Sequence, residues 1–237
     1  MTPWNLKTYL NYALLMVRSN TIVIWWVCFV AALSVVALPL KDSSLYWPLN
    51  IFITILTIIS PPVIYGIYFE LIEDTYTSIP KIFRTYVPGY IWLVIRMYLP
   101  PIFLASMFIS MLAGIVPGTI SGGGILEITL IFCSLVYLFV IPVFYRSGSG
   151  RGAIVAGIAF LFSNLSRATP LILVVLLLEA SMLLLQSQRA GIAPETSPIF
   201  LVLDFLVFSA ASIIDYILFI MLVFILKNQE ETAPPST

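Results

Sequence analysis

The sequence predicts an all-α fold: a polytopic membrane helix bundle of six transmembrane helices with short interfacial amphipathic helices. Three observations carry this. Of 237 residues, 61% are hydrophobic and only 9% charged, against about 25% charged in soluble domains, and mean hydropathy is +1.08. Charge-free stretches recur at 19–40, 43–69, 97–126 and 128–145, each near or above the roughly 20 apolar residues that cross a bilayer core as a helix. The runs of about ten alternating residues that a spanning barrel needs are missing, and lipid leaves irregular backbone unsatisfied.

Ahead of the first span, Leu6, Tyr9, Leu10, Ala13, Leu14 and Val17 share one helical face, with Lys7, Asn11 and Arg18 elsewhere. That pattern predicts an interfacial helix over 3–17, with Trp4 and Tyr12 at headgroup depth. The first span, 21–40, is longer than the apolar core of a secretory signal and lacks a small-residue cleavage site, so it is expected to be retained.

The second span is 46–72 and the third 89–116, which places Arg96 inside the bilayer. The fourth, 125–145, starts beside Glu127. The fifth, 169–187, contains Glu179, and the sixth, 199–226, contains Asp204 and Asp215. The pairs Pro61-Pro62 and Pro100-Pro101 remove helix hydrogen bonds and are expected to kink or break spans two and three. These spans make up a single domain, 1–226. A polar tail, 227–237, carries two prolines without periodicity and is expected to be disordered.

With six spans, Lys7, Arg18, Lys81, Arg84, Arg146, Arg151, Arg167 and Lys227 fall on one side, and only Lys41 and Arg189 on the other. The positive-inside rule then puts both termini in the cytoplasm, in an inner or plasma membrane.

PVIY at 62–65 and PVFY at 142–145 lie 80 positions apart, as do Gly89 and Thr169, the expected starts of spans three and five. Between them, Ile79, Ile82, Phe83, Tyr86 and Val87 form a helical stripe opposite Lys81, Arg84 and Thr85. Ser78 can cap this helix and Pro80 suits its first turn. A surface helix is therefore expected over 79–87, and a weaker one over 153–166 from Ile154, Ile158, Leu161 and Leu165. Span, surface helix, span is thus a unit that occurs twice, as a parallel repeat.

The segments SPPVIYGIYFELIEDTYTSIPKIF and IPVFYRSGSGRGAIVAGIAFLFSNLSRATPLIL carry Pro62 and Gly66 at the close of one span. They carry Pro142, Gly152, Ala153, Ile154 and Asn164 around a later one. This arrangement, over about 60–173, resembles the bacterial six-helix membrane families related to the membrane domain of some glycerophosphodiester phosphodiesterases. The resemblance implies a membrane-embedded module. The sequence shows none of the phosphodiesterase domain, so that activity is not implied.

Ionisable groups within a bilayer cost about 2.5–3.5 kcal/mol each on insertion scales and mark candidate sites. At a rise of 1.5 Å per residue, Arg96 lies about 10 Å, Glu179 about 15 Å and Asp215 about 16 Å from the basic surface. Arg96, Glu179 and Asp215 therefore form the candidate intramembrane polar site. A structural Arg96–Asp215 pair is the alternative, and a proton- or cation-binding Glu179 the sharper reading. Glu127 and Asp204 read as rim carboxylates. Arg146 and Arg151 in the loop RSGSGRG, with Lys81 and Arg84, are candidate contacts for a lipid phosphate or a partner; a flexible linker carrying positive-inside charge is the plainer alternative for the loop.

The chain has no His, and its two cysteines, Cys28 and Cys133, sit in apolar runs, so neither a metal nor another cofactor is expected. No Ser/His constellation supports an enzyme, and the few basic residues at membrane edges do not support nucleic-acid binding. The expected function is a transport or lipid-handling module. The alternatives are a non-catalytic accessory subunit docking a protein partner through its cytoplasmic surface helices, and the transmembrane subunit of an ATP-driven exporter. The expected partners are the lipid bilayer, phospholipid headgroups and such a protein.

Overall fold

A computed structural model describes residues 5–75, 77–115, 122–148, 150–192 and 197–232, and among them all regular structure is helical. The helices are α1 (Leu6–Ser19), α2 (Thr21–Ala37, extended by a 3-10 turn, Leu38–Leu40), α3 (Tyr46–Ile72), α4 (Ile79–Ile115), α5 (Gly122–Ser147), α6 (Gly150–Ser163), α7 (Leu165–Ile192) and α8 (Pro198–Thr232). Five helical stretches are long and apolar enough to cross a membrane alone. A sixth crossing is counted if α6 and α7, bent by 105°, act as one broken span. The chain is a multi-pass helical membrane protein.

Three details differ from the sequence reading. The surface helix expected over 79–87 does not stop before Gly89, because α4 runs unbroken through Pro88 and Gly89. Proline costs a helix one hydrogen bond at its own N–H, and the helix carries that loss without breaking. At Pro61-Pro62 and Pro100-Pro101 too, α3 and α4 continue as single helices, so neither span is broken there. The segment from Lys227, expected to be disordered, is helical as far as Thr232. Lys227 Nζ donates to the Ile72 carbonyl at 2.7 Å and lies 3.7 Å from the Glu73 carboxylate, which anchors the end of α8. Residues 233–237 lie outside the described residues, as do Pro3 and Trp4.

Two compact units are distinguished along the chain: Met1–Val87 with Leu177–Thr237, and Pro88–Leu176. The divisions fall inside α4 and α7.

In the first unit α2, α3 and α8 pack together. Tyr65 meets Phe219 at 4.5 Å and Tyr216 at 5.3 Å between ring centroids, and Tyr68 is fully buried beside Tyr216. Helix α1 buries Tyr9, Ala13 and Val17, with Tyr9 stacked on Phe224 of α8 at 6.2 Å. The start of α4 lies on α3: a Cβ on Gly66 would stand 2.5 Å from Ile82, so only glycine admits this approach.

In the second unit α5 and α6 pack closely. Gly157 faces Val140, and Phe139 meets Phe160 at 6.0 Å. Tyr90 and Tyr137 share a hydrogen bond between their hydroxyls, Tyr98 meets Tyr137 at 6.0 Å, and Cys133 Sγ donates to the Met97 carbonyl at 3.8 Å.

The tetrapeptides PVIY and PVFY share one burial pattern. Pro62, Ile64 and Tyr65 are buried with Val63 half-buried, and Pro142, Phe144 and Tyr145 are buried with Val143 half-buried.

Candidate functional site

The first unit contains a cleft between α2, α3 and α8, lined by Trp26, Val27, Val30, Thr57, Ser60, Pro61, Phe208, Ser212 and Tyr216, with an empty volume of ≈ 350 Å³. Its chemistry follows from the sequence of α3. Pro61 has no N–H, so the carbonyl of Thr57 loses its normal helical donor, and Pro62 does the same to Ile58. The Thr57 hydroxyl donates to the Ile53 carbonyl at 2.9 Å. Across the cleft the Trp26 indole N–H donates to Ser60 Oγ at 2.8 Å. Such a bond contributes about 0.5–1.5 kcal/mol and holds α2 to α3 at the cleft wall. The result is an apolar slot carrying hydroxyls from Thr57, Ser60, Ser212 and Tyr216.

Two of the expected charges lie in this unit. Asp215 follows Ser212 by one turn and precedes Tyr216, on an exposed part of α8, and Glu179 of α7 is half-buried. The two carboxyls are close enough to interact electrostatically. Their depths of about 15 and 16 Å, counted along each helix, agree. The fully buried Tyr68 hydroxyl, behind Tyr216, has no hydrogen-bond partner among the described residues.

Arg96 belongs to the second unit. Its guanidinium carbon lies 4.8 Å from the ring centroid of Trp92, one turn earlier on α4, a cation–π contact of about 0.5–1 kcal/mol at an exposed site. Trp92 is itself exposed, so the indole shields one face of the guanidinium.

The basic residues of the other candidate group are spread along the chain. Lys81 and Arg84 are exposed on the first turns of α4, and Arg146 is half-buried at the end of α5. The side chain of Arg151 lies outside the described residues. Of the rim carboxylates, Glu127 is exposed and Asp204 half-buried.

A polar knot at the α3–α4 corner escapes sequence reasoning. Glu70 accepts hydrogen bonds from Thr77 Oγ1 at 2.8 Å and from the Tyr86 hydroxyl at 2.9 Å, while its backbone carbonyl accepts from the Thr75 N–H at 2.9 Å. Asp74 takes a left-handed turn with φ of 54°. The signal was the concentration of Glu, Asp and Thr in ELIEDTYTS, which reads as a plain polar loop until Tyr86 is folded back onto it.

Comparison with known protein families, curated proteins and solved structures finds no match to this chain.

Proposed function

We propose that this membrane protein is a transport or lipid-handling module, set in an inner or plasma membrane with both termini cytoplasmic, whose working site is the cleft of the first unit with Glu179 and Asp215. The observation that carries this is the cleft of the first unit, whose Ser212 hydroxyl lies one turn from Asp215, a carboxyl that interacts electrostatically with Glu179. A purely structural bundle gains nothing from two like charges within one apolar layer. A site that accepts a proton or the cationic part of a membrane-soluble molecule uses both. The slot beside them suits an apolar chain, and the hydroxyls suit the ester or headgroup atoms at its end.

The resemblance of residues 60–173 to six-helix membrane families supports the same reading of a membrane module, without phosphodiesterase activity.

A phospholipid carrying a photoactivatable diazirine in its acyl chain tests the site in reconstituted vesicles. Adducts concentrated at 26–30, 57–61 and 208–216 are expected. Adducts spread evenly over exposed apolar residues such as Trp92 and Phe103 would refute the cleft. The carboxylates are tested separately: a Glu179→Gln chain that keeps every transport or growth phenotype of the parent would remove the charged part of the proposal.

A further inference from the structure

A serine or threonine inside a membrane helix ordinarily donates its hydroxyl proton to the carbonyl one turn earlier, because the bilayer core supplies no water to take it. Ser34 of α2 and Thr54 and Thr57 of α3 do so, donating to the carbonyls of Val30, Asn50 and Ile53 at 2.9, 2.8 and 2.9 Å. Three serines of the same unit depart from this rule. Ser60 accepts the Trp26 indole proton at 2.8 Å and donates to nothing among the described residues. Ser212 makes no hydrogen bond among them. Ser209, only 7% exposed, has a buried Oγ with no partner there either.

The departures gather at one place. Ser60 of α3 and Ser212 of α8 both line the cleft, and Ser209 stands in sequence between two further lining positions, Phe208 and Ser212.

The other polar groups of the cleft narrow what can meet those protons. Thr57 has committed its proton to Ile53, and Trp26 its own to Ser60. The Thr57 carbonyl, which loses its helical donor at Pro61, has the Pro61 ring standing against it. None of the lining residues is charged. The cleft therefore offers hydroxyl protons without an ionic partner. An ammonium group would find no carboxylate on these walls, and a carboxylate or phosphate no cation, so either would lie desolvated and uncompensated.

A neutral carbonyl oxygen meets both conditions. Its lone pairs accept two hydroxyl protons, and it brings no donor that needs an acceptor of its own. Ser60 is the stronger donor of the two serines, since accepting from Trp26 polarises its O–H bond.

We propose that the cleft binds the carbonyl end of a neutral amphiphile, with Ser60 and Ser212 donating to the oxygen and the apolar tail lying along Val27, Val30 and Phe208. A lipid acyl ester and a tailed quinone both present this group. This rests on the cleft reading above, and it is independent of Glu179 and Asp215.

Three amphiphiles with the same diazirine tail test it on the full chain in vesicles of ether-linked phosphatidylcholine: an ester-linked phosphatidylcholine, its ether-linked counterpart, and a benzoquinone. The two phosphatidylcholines differ only in the carbonyl oxygens. A carbonyl-bearing probe is expected to label 26–30, 57–61 and 208–216 about tenfold more than the ether probe, the contribution of two hydrogen bonds. Whichever of the ester and the quinone labels more is the source of the carbonyl. Ser212→Ala removes no bond within the chain and should lower cleft labelling by that probe about threefold, with the ether probe unchanged. Ser60→Ala should lower it at least as far. Labelling of exposed residues such as Phe103 should stay constant throughout, which separates lost binding from lost folding. Cleft labelling that is equal for all three probes, or a carbonyl preference that survives both serine substitutions, would overturn the carbonyl assignment and leave the cleft standing. Labelling spread evenly over the apolar surface by every probe would remove the cleft itself.

Discussion

Gly157 lies against the main chain of Val140: a Cβ built on it would stand 2.6 Å from the Val140 Cα and 3.0 Å from its backbone nitrogen. The obstacle is backbone, which cannot rotate away as a side chain can. Gly157→Leu is therefore expected to force α6 off α5 and lower stability by about 1–3 kcal/mol or more, read as a fall in thermal midpoint in detergent. Gly150→Ala is the control, because a Cβ there meets nothing within 4 Å.

Gly66 poses a softer version of the same constraint. Its virtual Cβ meets Ile82 Cγ2 at 2.5 Å and Tyr86 at 3.1 Å, both side-chain atoms. Gly66→Ala should cost about 1–3 kcal/mol by overpacking, and Ile82→Ala should cost a few kcal/mol by leaving a cavity, on the order of 2–5. Together they are expected to cost less than their sum by at least about 0.5 kcal/mol. A double-mutant cycle on thermal or denaturant midpoints measures this coupling.

The knot at Glu70 predicts a third coupling. Tyr86→Phe removes a hydrogen bond to a carboxylate that is also held by Thr77. Because Glu70 is only half-buried, the expected loss is about 1 kcal/mol. In a Glu70→Ala background the same Tyr86→Phe change should cost almost nothing, and limited proteolysis within 73–78 should accelerate in either single variant.

Asn20 and Asn164 end α1 and α6 in the same way, each side-chain amide donating to the carbonyl four residues back, at 2.8 and 3.0 Å. Asn20→Ala and Asn164→Ala each remove that bond. Each is expected to lower stability by about 1 kcal/mol, and the two effects should add within about 0.5 kcal/mol because the sites share no partner. Hydrogen exchange at the amides of Asn20 and Asn164 should rise in the respective variant and not in the other.

The helical membrane class was legible because hydropathy and length are one-dimensional properties: the apolar runs name the spans wherever they lie in space. The equal spacing of PVIY and PVFY was legible for the same reason, and both pieces take the same burial pattern. The close seats of α6 on α5 and of the start of α4 on α3 were hidden because the small residue can stand on either side of the contact. Gly157 faces Val140 in one, and Ile82 faces Gly66 in the other.

Among the candidate charges, depth along a helix could be counted but helical rotation could not. Counting put Arg96, Glu179 and Asp215 near one another in depth. Only the folded first unit shows Asp215 interacting electrostatically with Glu179, and only the second shows the Arg96 guanidinium over Trp92. The Glu70–Tyr86 contact spans 16 positions across a turn, and no periodic pattern encodes it.

The stacking of Tyr9 on Phe224 has a consequence for how the protein is made. Tyr9 leaves the ribosome 215 residues ahead of the ring it rests on, so at about 5–20 residues per second α1 waits on the order of 10–40 s for its seat. During that interval an amphipathic segment with a bare Tyr9–Ala13–Val17 stripe is open to holdases and proteases. Its disappearance into the bundle marks a chain in which α8 has been inserted. A truncation before Phe224 would leave that stripe permanently displayed, giving quality control a signal in α1 that reports on α8.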